Sequence, residues 1–156
     1  MSDKRDILCH FLATLAYRTQ KALQNAPDHF GSFRAGSDVR TPQELLHHMS
    51  SLINHTLDAL RDMPTNSLER SPDFQGEVDR FHALLEQLSA ALGSASLQEA
   101  KLAERLLQGP FTDAMTHAGQ LALLRRLAGA PVPAEDFSRA AIDPKNLSVN
   151  QPLSQS

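Results

Sequence analysis

The chain has 156 residues, of which 41% are hydrophobic and 21% are charged, and its formal net charge is −3. This composition is typical of one globular domain and excludes a wholly disordered chain. The acidic balance and the scattered basic residues argue against binding to nucleic acid, and no run approaches the roughly 20 apolar residues of a membrane span.

The first predicted helix runs from about Asp3 to Asn25. Its apolar residues recur at steps of three and four, which places them on one face of a helix with about 3.6 residues per turn. These residues are Ile7, Leu8, Phe11, Leu12, Leu15, Ala22 and Leu23. Pro27 closes the helix, and the polar segment 28–40, which contains two glycines, is predicted to be a functional or mobile loop.

The second helix opens on the clearest start signal of the chain, the tetrapeptide TPQE at residues 41–44. In this capping box the threonine caps the helix, and the glutamate three residues later reaches back to the threonine backbone. Proline suits the first helical position. We expect this helix to end near Pro64, and a third helix to run from the Ser-Pro pair at 71–72 to a C-terminal cap at Gly93.

A second capping box, SLQE at 96–99, predicts the start of the fourth helix. Gly109 and Pro110 must interrupt this helix, because proline lacks an N–H donor and clashes with the preceding turn. We therefore expect either a kink or a fresh helix from Pro110 to Ala128. The last segment is rich in proline and polar residues, and we expect one short helix around 134–141 before the chain frays or wraps the body.

Four amphipathic stretches without period-two alternation predict an all-α fold, an up-down-type four-helix bundle with a short C-terminal helix and an extended tail. The bundle is expected over residues 1–143 and the tail over residues 144–156. The cytoplasm is the expected location, because the single Cys9 cannot form an internal disulfide and residues 1–20 lack the features of a signal peptide.

The best candidate for chemistry lies on the fourth helix. His117 shares the direction of the apolar residues of that helix, so its side chain is expected to point into the bundle. Asp113 precedes it by one turn, and side chains at positions i and i+4 can hold one metal ion together. Gln120 lies on the same side and is a candidate hydrogen-bond partner of the ligands.

The second helix supplies a third candidate ligand. His48 lies at the edge of the apolar stripe, where a side chain can enter the groove between helices and still meet water. His55 shares this line two turns on and is a candidate neighbour, whereas His47 points almost away from the core and is expected to be solvated. The sequence therefore predicts a divalent-metal site built from His48, Asp113 and His117.

Simpler interpretations compete with these. An acid in the first turn of a helix, such as Asp113, interacts favourably with the helix macrodipole, and a short D-x-x-x-H spacing is weakly specific. Cys9 and His10 are about 100° apart on a helix, which is poor geometry for a nucleophile and its base. His29 lies in a loop where nothing fixes it, and His82 is expected to be a surface or hydrogen-bonded histidine.

Two segments together resemble the DinB/YfiT-like superfamily. The run TPQELLHHM at 41–49 is similar to its second-helix motif, in which a metal-binding histidine follows Glu-Leu-Leu, and the alignment places that histidine at His48. The run DAMTHAGQLALLRRLAG at 113–129 resembles its fourth-helix signature, a pair of histidines separated by three residues and followed by x-Gly-Gln and a Leu-rich run that ends in Arg. His117 matches the second histidine, and Asp113 stands in place of the first.

The resemblance implies a four-helix bundle with a metal at one end, commonly zinc or nickel, in a protein that is often a homodimer. Some relatives transfer small thiols, and others are described as metal-dependent hydrolases. Two histidines and one carboxylate form a sound ligand set that leaves positions open for water or substrate, although the carboxylate leaves the choice among zinc, nickel and iron open.

Three hypotheses follow. The first is a metalloenzyme acting on a small-molecule substrate that enters near the loop from His29 to Arg40, with Glu44 as the one nearby candidate for a general base. The second is a non-catalytic bundle that binds a metal or small ligand, or that dimerises as a stress-related module. In the third, the histidines are structural and no metal binds.

Overall fold

The computed structural model describes residues 3–153, apart from the side chain of Ala100. Its α-helices are Lys4–Leu23 (α1), Pro42–Leu60 (α2), Phe74–Ser94 (α3), Leu102–Leu106 (α4) and Thr112–Leu127 (α5). A π-helical segment, Leu107–Phe111, joins α4 to α5, so the two form one helical arm. The all-α bundle is thereby confirmed, with no strand within residues 3–153. None of the described helices is long and apolar enough to span a membrane.

The bundle has four members, which are α1, α2, α3 and the arm formed by α4 and α5, and they are arranged in a ring. α1 and α2 lie diagonally opposite each other, and each packs on α3 and α5. α1 is antiparallel to α3, because Arg5 at the start of α1 donates to the carbonyl of Leu92 near the end of α3 (Nε–O 2.8 Å). α2 is parallel to α3, because Gln43 at the start of α2 donates to the carbonyl of Ser71, shortly before α3 begins (Nε2–O 3.3 Å).

The arm formed by α4 and α5 runs parallel to α1. Lys4 at the start of α1 pairs with Glu104 in α4 (Nζ–Oε1 2.6 Å), and Arg125 near the end of α5 donates to the carbonyl of Ala22 near the end of α1 (2.9 Å). In chain order, α1 therefore points up, α2 and α3 point down, and the α4–α5 arm points up. Segment 61–73 connects two parallel neighbours and must return along the length of the bundle.

The core fills the space between the arms with residues from every helix. The largest fully buried apolar side chains are Leu12, Leu15, Tyr17, Leu46, Met49, Ile53, Leu57, Phe81, Leu85, Leu88, Leu92 and Phe111. At about 25 cal/mol per Å², burial of such side chains is the main driving force for assembly of the bundle. Phe11 stacks on Phe111 (centroids 6.0 Å apart), which fixes the kinked arm against α1.

The predicted capping box of α2 is confirmed. The Thr41 hydroxyl oxygen accepts from the Glu44 N–H (3.2 Å), and the Thr41 N–H donates to the Glu44 carboxylate (2.8 Å). α2 ends at Leu60, four residues before Pro64. The reciprocal bonds satisfy two backbone groups that would otherwise lack partners at the start of the helix.

Two predicted helix starts are wrong. α3 begins at Phe74 and not at 71–72, because Asp73 is the cap that accepts from the Gly76 N–H (2.6 Å). The tetrapeptide at 96–99 forms no capping box: residues 99–101 make a 3₁₀ turn, and α4 starts only after Lys101, whose φ is +59°. Gly93 is not the cap of α3 either, since that helix continues to Ser94.

Gly109 and Pro110 produce the kink and not a fresh helix at 110. Gly109 has φ −98° and ψ −106°, outside the helical region, within the π-helical segment. The Thr112 hydroxyl donates to the carbonyl of Leu107 (2.5 Å), which supplies a partner for an acceptor near the proline interruption.

The C-terminal segment wraps the bundle. The short helix predicted around 134–141 is only one 3₁₀ turn, Phe137–Arg139. Glu135 pairs with Lys21 (Nζ–Oε1 3.1 Å) in a nearly buried contact and also accepts from the Tyr17 hydroxyl. Arg18 lies over the Phe137 ring (3.6 Å to its centroid). These contacts fasten the segment along α1.

The tail predicted at 144–156 contributes to the core over its described part, 144–153. Leu147 is buried. Gln151 is buried too and exchanges two hydrogen bonds of 2.9 Å with the Gln20 side chain. The tail therefore lies against α1 and α3 as part of the same body.

His82 on α3 lies under this tail, and its Nδ1 is 2.8 Å from the carbonyl oxygen of Leu147. Burial lowers the pKa of His82 below its usual 6.5, against the opposing effects of that carbonyl and of Asp79 and Glu86. The unfolded chain then binds the proton better than the folded chain. The stabilising contribution of neutral His82 is complete above about pH 6.5 and falls as the pH drops through that value.

We expect His82→Asn to flatten the pH dependence of the free energy of unfolding between pH 7 and pH 5. One titrating group changes that free energy by at most about 1.4 kcal/mol per pH unit. Urea unfolding at several pH values measures the slope, with exposed His55→Asn as the matched control. An identical slope in wild type and His82→Asn would refute the assignment.

Candidate metal centre

The structure brings the three predicted ligands together between α2 and α5. Each of His48, Asp113 and His117 offers one ligand atom, and these atoms all lie within 4.8 Å of one another. The His117 Nε2 is 3.7 Å from the Asp113 Oδ1, and the two imidazole rings are 4.8 Å apart at 77°. No other group of three or more such residues with this geometry occurs among residues 3–153.

The amphipathic pattern of α5 explains the position of His117. Its neighbours Ala114 and Leu121, one turn away on either side, are both buried, and His117 itself is 8% exposed. Asp113 lies in the first turn of α5 with half of its side chain exposed. The carboxylate therefore meets water while the imidazole on the next turn is enclosed.

Hydrogen bonding prepares His117 to be a ligand. Its Nδ1 is 2.8 Å from the Gln120 amide oxygen. Because that oxygen accepts, Nδ1 carries the proton and the lone pair lies on Nε2, the atom that faces Asp113. The predicted role of Gln120 thus has the required geometry.

The second imidazole is also held in the form that binds metals. Burial lowers the pKa of His48, the positive charge of Arg40 and the ring of His117 lower it further, and Asp113 opposes these effects. A lowered pKa leaves the imidazole neutral near pH 7, which is the protonation state required for coordination.

The donor set fits a divalent ion. Imidazole nitrogen and carboxylate oxygen bind zinc at about 2.0–2.2 Å, which places tetrahedral ligand atoms about 3.4 Å apart. The contact of 3.7 Å between His117 and Asp113 is close to this value, and the widest separation of 4.8 Å must contract. Because Asp113 is half exposed, its side chain can rotate without disturbing the core.

A groove of about 810 Å³ leads to this cluster. It runs between α2, the end of α3 and the α4 arm, and we call it the site groove. Its lining includes Leu52, His55, Leu102, Arg105, Leu106 and Asp113. Asp113 is the one candidate ligand in this lining, so the groove opens at the carboxylate side of the cluster.

The expectation that substrate enters near the loop from His29 to Arg40 stays a prediction. No residue of this loop lines the site groove, but Val39 and Arg40 line a second pocket of about 740 Å³ that also includes Gln120. The loop packs at the end of the bundle where α1 ends and α2 begins, and Phe30 in it is buried. Arg40 is nevertheless close enough to influence the pKa of His48.

The other two histidines of α2 have different environments. His55 is exposed and lines the site groove but does not belong to the ligand cluster. The prediction that His47 is solvated is wrong: its Nδ1 lies 3.3 Å from the Glu77 carboxylate and 3.1 Å from the Arg80 guanidinium. His47 therefore belongs to the contact between α2 and α3.

Glu44, the candidate general base, is engaged by its capping partners. Its carboxylate accepts from the Thr41 N–H and lies 3.3 Å from the Arg34 guanidinium. The hydrogen bond from the Thr41 backbone, followed by the charge of Arg34, lowers the pKa of Glu44 and makes it a weaker base. Its capping role accounts for its interactions.

The remaining candidates are apart from the cluster. Cys9 is half-buried against the core, and its sulfur is 3.8 Å from the Ser89 hydroxyl. His10 and His29 are exposed on other parts of the surface. These placements leave no nucleophile and base in contact among Cys9, His10 and His29.

The sequence analysis did not predict that several charged side chains are buried, among them those of Glu77 and Arg125. Glu77 is fully buried, accepts from the Ser71 N–H (2.7 Å) and pairs with Arg80 (2.6 Å). The i, i+3 spacing of Glu77 and Arg80 was the sequence pattern that could have indicated this ion pair. Arg125 is 4% exposed and donates to carbonyls at the end of α1, including those of Ala22 (2.9 Å) and Gln24 (2.8 Å). Its guanidinium joins the ends of α1 and α5.

We expect Gln120→Leu to weaken metal binding by about 10- to 100-fold, because the variant cannot orient the His117 ring through Nδ1. Competition with a chromophoric chelator measures this affinity. Exposed Gln108→Leu is the matched control and should bind like wild type. Equal affinities for Gln120→Leu and wild type would remove Gln120 from the site.

No protein-family model matches the chain, and neither a curated protein nor a solved structure matches it. The resemblance to the DinB/YfiT-like superfamily therefore stays a prediction.

Proposed function

We propose that the protein binds one divalent metal ion through His48, Asp113 and His117 and acts as a metal-dependent enzyme on a small molecule. The observation that carries this proposal is the convergence of three ligand atoms within 4.8 Å, from two helices, beside an open groove that Asp113 lines. Zinc, nickel and iron all suit two imidazoles and one carboxylate.

The chemistry follows from a site with three protein ligands. A bound ion of this kind lowers the pKa of a coordinated water or thiol and polarises a substrate carbonyl. His48 and His117 hold the site from the buried side, and Gln120 fixes the orientation of the His117 ring. Hydrolysis and transfer of a small thiol are the reaction classes that this arrangement supports.

The groove favours an enzyme over a purely structural metal site. Structural zinc sites are closed by four protein ligands, whereas catalytic sites keep a position open. Here the site has three protein ligands, one of which, Asp113, lines a groove of about 810 Å³, a volume typical of sites for small molecules. A non-catalytic metal-binding module remains the alternative function.

A cytoplasmic homodimer is also part of the proposal. The single cysteine is consistent with a reducing compartment. Leu123 and Leu127 on α5 are both more than half exposed, and Val39 lines the same pocket of about 740 Å³. An exposed apolar surface of this kind is typical of a subunit contact.

Elemental analysis of untagged protein tests the metal site directly. We expect close to one equivalent of zinc, nickel or iron per chain, retained after dialysis. The apo-protein prepared with a chelator should regain one equivalent on titration. Protein that contains no metal and takes up none would overturn the proposal and leave the histidines with structural roles only.

A further inference from the structure

The site groove combines an apolar lining with one unpaired cation. Leu52, Leu102 and Leu106 contribute apolar surface to it. Arg105 projects from α4, is exposed, and makes no hydrogen bond or ion pair with any residue of the described chain 3–153. A free guanidinium beside an apolar channel is suited to bind a carboxylate at the end of an apolar chain.

We propose that the site groove selects an anionic substrate with an apolar body, whose reacting group lies at the metal and whose carboxylate pairs with Arg105. This inference rests on the proposed function, because the metal fixes one end of the substrate. The other end of the substrate is then held by Arg105, which lies on the same helical arm as Asp113.

The charges of the residues that line the groove, together with a bound metal ion, favour an anionic substrate. Arg105 is the one lysine or arginine in its lining, while Glu99 and Asp113 are its two carboxylates. With His55 neutral, the lining has a formal charge of −1, and a bound divalent ion changes it to +1. The loaded groove therefore attracts an anion, although Glu99 lies toward the same end as Arg105 and weakens this attraction.

The spacing predicts the length of the substrate. Arg105 and Asp113 are eight residues apart along the kinked arm, and eight residues of α-helix rise by about 12 Å at 1.5 Å per residue. Both side chains reach into the groove and shorten the gap. A chain of about six methylene groups between the reacting group and the carboxylate spans the remaining distance.

Hydroxamates test this arrangement because they bind catalytic metals whatever the natural reaction is. Co²⁺ is added to metal-free protein, and changes in its visible absorption report each ligand. The probes are the monohydroxamate of suberic acid, its methyl ester and the monohydroxamate of succinic acid. The methyl ester removes the negative charge at the far end of the probe, and the succinic compound shortens its chain. The contributions of charge and of length to the affinity are therefore measured separately.

We expect the suberic monohydroxamate to bind about fivefold tighter than its methyl ester and than the shorter succinic compound. Arg105→Gln should abolish the preference over the methyl ester while the Co²⁺ spectrum and the binding of the ester stay unchanged. Arg126→Gln, which removes an exposed arginine outside the groove, is the matched control and should keep the preference.

The outcomes distinguish the two proposals. If Co²⁺ does not bind, the proposed function fails and this inference fails with it. A normal Co²⁺ spectrum with equal affinities for the acid and its ester overturns only the inference. A preference for the acid that persists in Arg105→Gln also overturns it, because the anion is then held elsewhere.

Discussion

Replacing His117 by alanine is expected to abolish metal binding. Without Nε2, the cluster loses the atom that lies 3.7 Å from Asp113, and only His48 and the carboxylate remain. Two ligands hold a divalent ion far more weakly than three, and we expect a loss of affinity of more than about 100-fold. His48→Ala should have the same effect, since it removes the one ligand from α2. Elemental analysis and competition with a chelator measure both variants.

The matched control is His55→Ala. His55 lies on the same helix as His48 and lines the site groove, but it does not belong to the ligand cluster. We expect this variant to retain a full equivalent of metal. His47→Ala should also keep the site, but its contact with Glu77 makes it the poorer control, because the variant changes the packing of α2 on α3. Metal loss in His55→Ala equal to that in His48→Ala would show that the ligand set is wrong.

Replacing Glu77 by alanine is expected to cause the largest loss of stability among single substitutions in the contact between α2 and α3. The carboxylate is buried and interacts with Arg80, His47 and the Ser71 N–H. Breaking a buried ion pair from one side costs about 3–5 kcal/mol, because the remaining cation and donors lose their partner. Urea unfolding with a linear extrapolation measures the free energy of unfolding.

The control for Glu77→Ala is Glu86→Ala, on the same helix but exposed. A surface substitution of this kind should change the free energy of unfolding by no more than about 0.5 kcal/mol. A similar small effect in both variants would mean that Glu77 is compensated by groups other than those described. Glu77→Gln, which keeps an acceptor for the Ser71 N–H, should fall between the two.

The predictable parts of the fold are those fixed by local chemistry. The capping box at 41–44 specifies the start of α2 within a few residues, because both of its hydrogen bonds are made inside the tetrapeptide. The same pattern at 96–99 failed, because packing of the chain after α3 places a 3₁₀ turn there and delays the helix to Leu102. A local signal decides the structure only where tertiary contacts do not oppose it.

The candidate site was predictable to a similar extent. The helical period places Asp113 and His117 one turn apart, and the edge position of His48 points it toward a groove. The pairing of α2 with α5 depends on the ring order of the bundle, which involves contacts distant in sequence. For that reason the groove, its opening beside Asp113 and the role of Arg105 could not be read from spacing.

Buried charges were the hardest features to predict. Arg125 resembles any basic residue in the last turn of a helix, where cations interact favourably with the macrodipole. Besides the nearby carbonyl of Ala130, its partners are carbonyls about one hundred residues away in sequence, at the end of α1. The buried position of Glu77 likewise depends on how α2 lies on α3.

The π-helical segment at 107–111 has a consequence for related sequences. Gly109, with φ −98° and ψ −106°, breaks the helix inside this segment, so the segment sets the direction and the rotational register of α5 relative to α4. Removal of a single residue there would leave all three ligands in the sequence but turn the acid–imidazole pair away from His48. In a homologue, an intact set of ligand residues together with a gap at this segment would therefore indicate that the site had been lost.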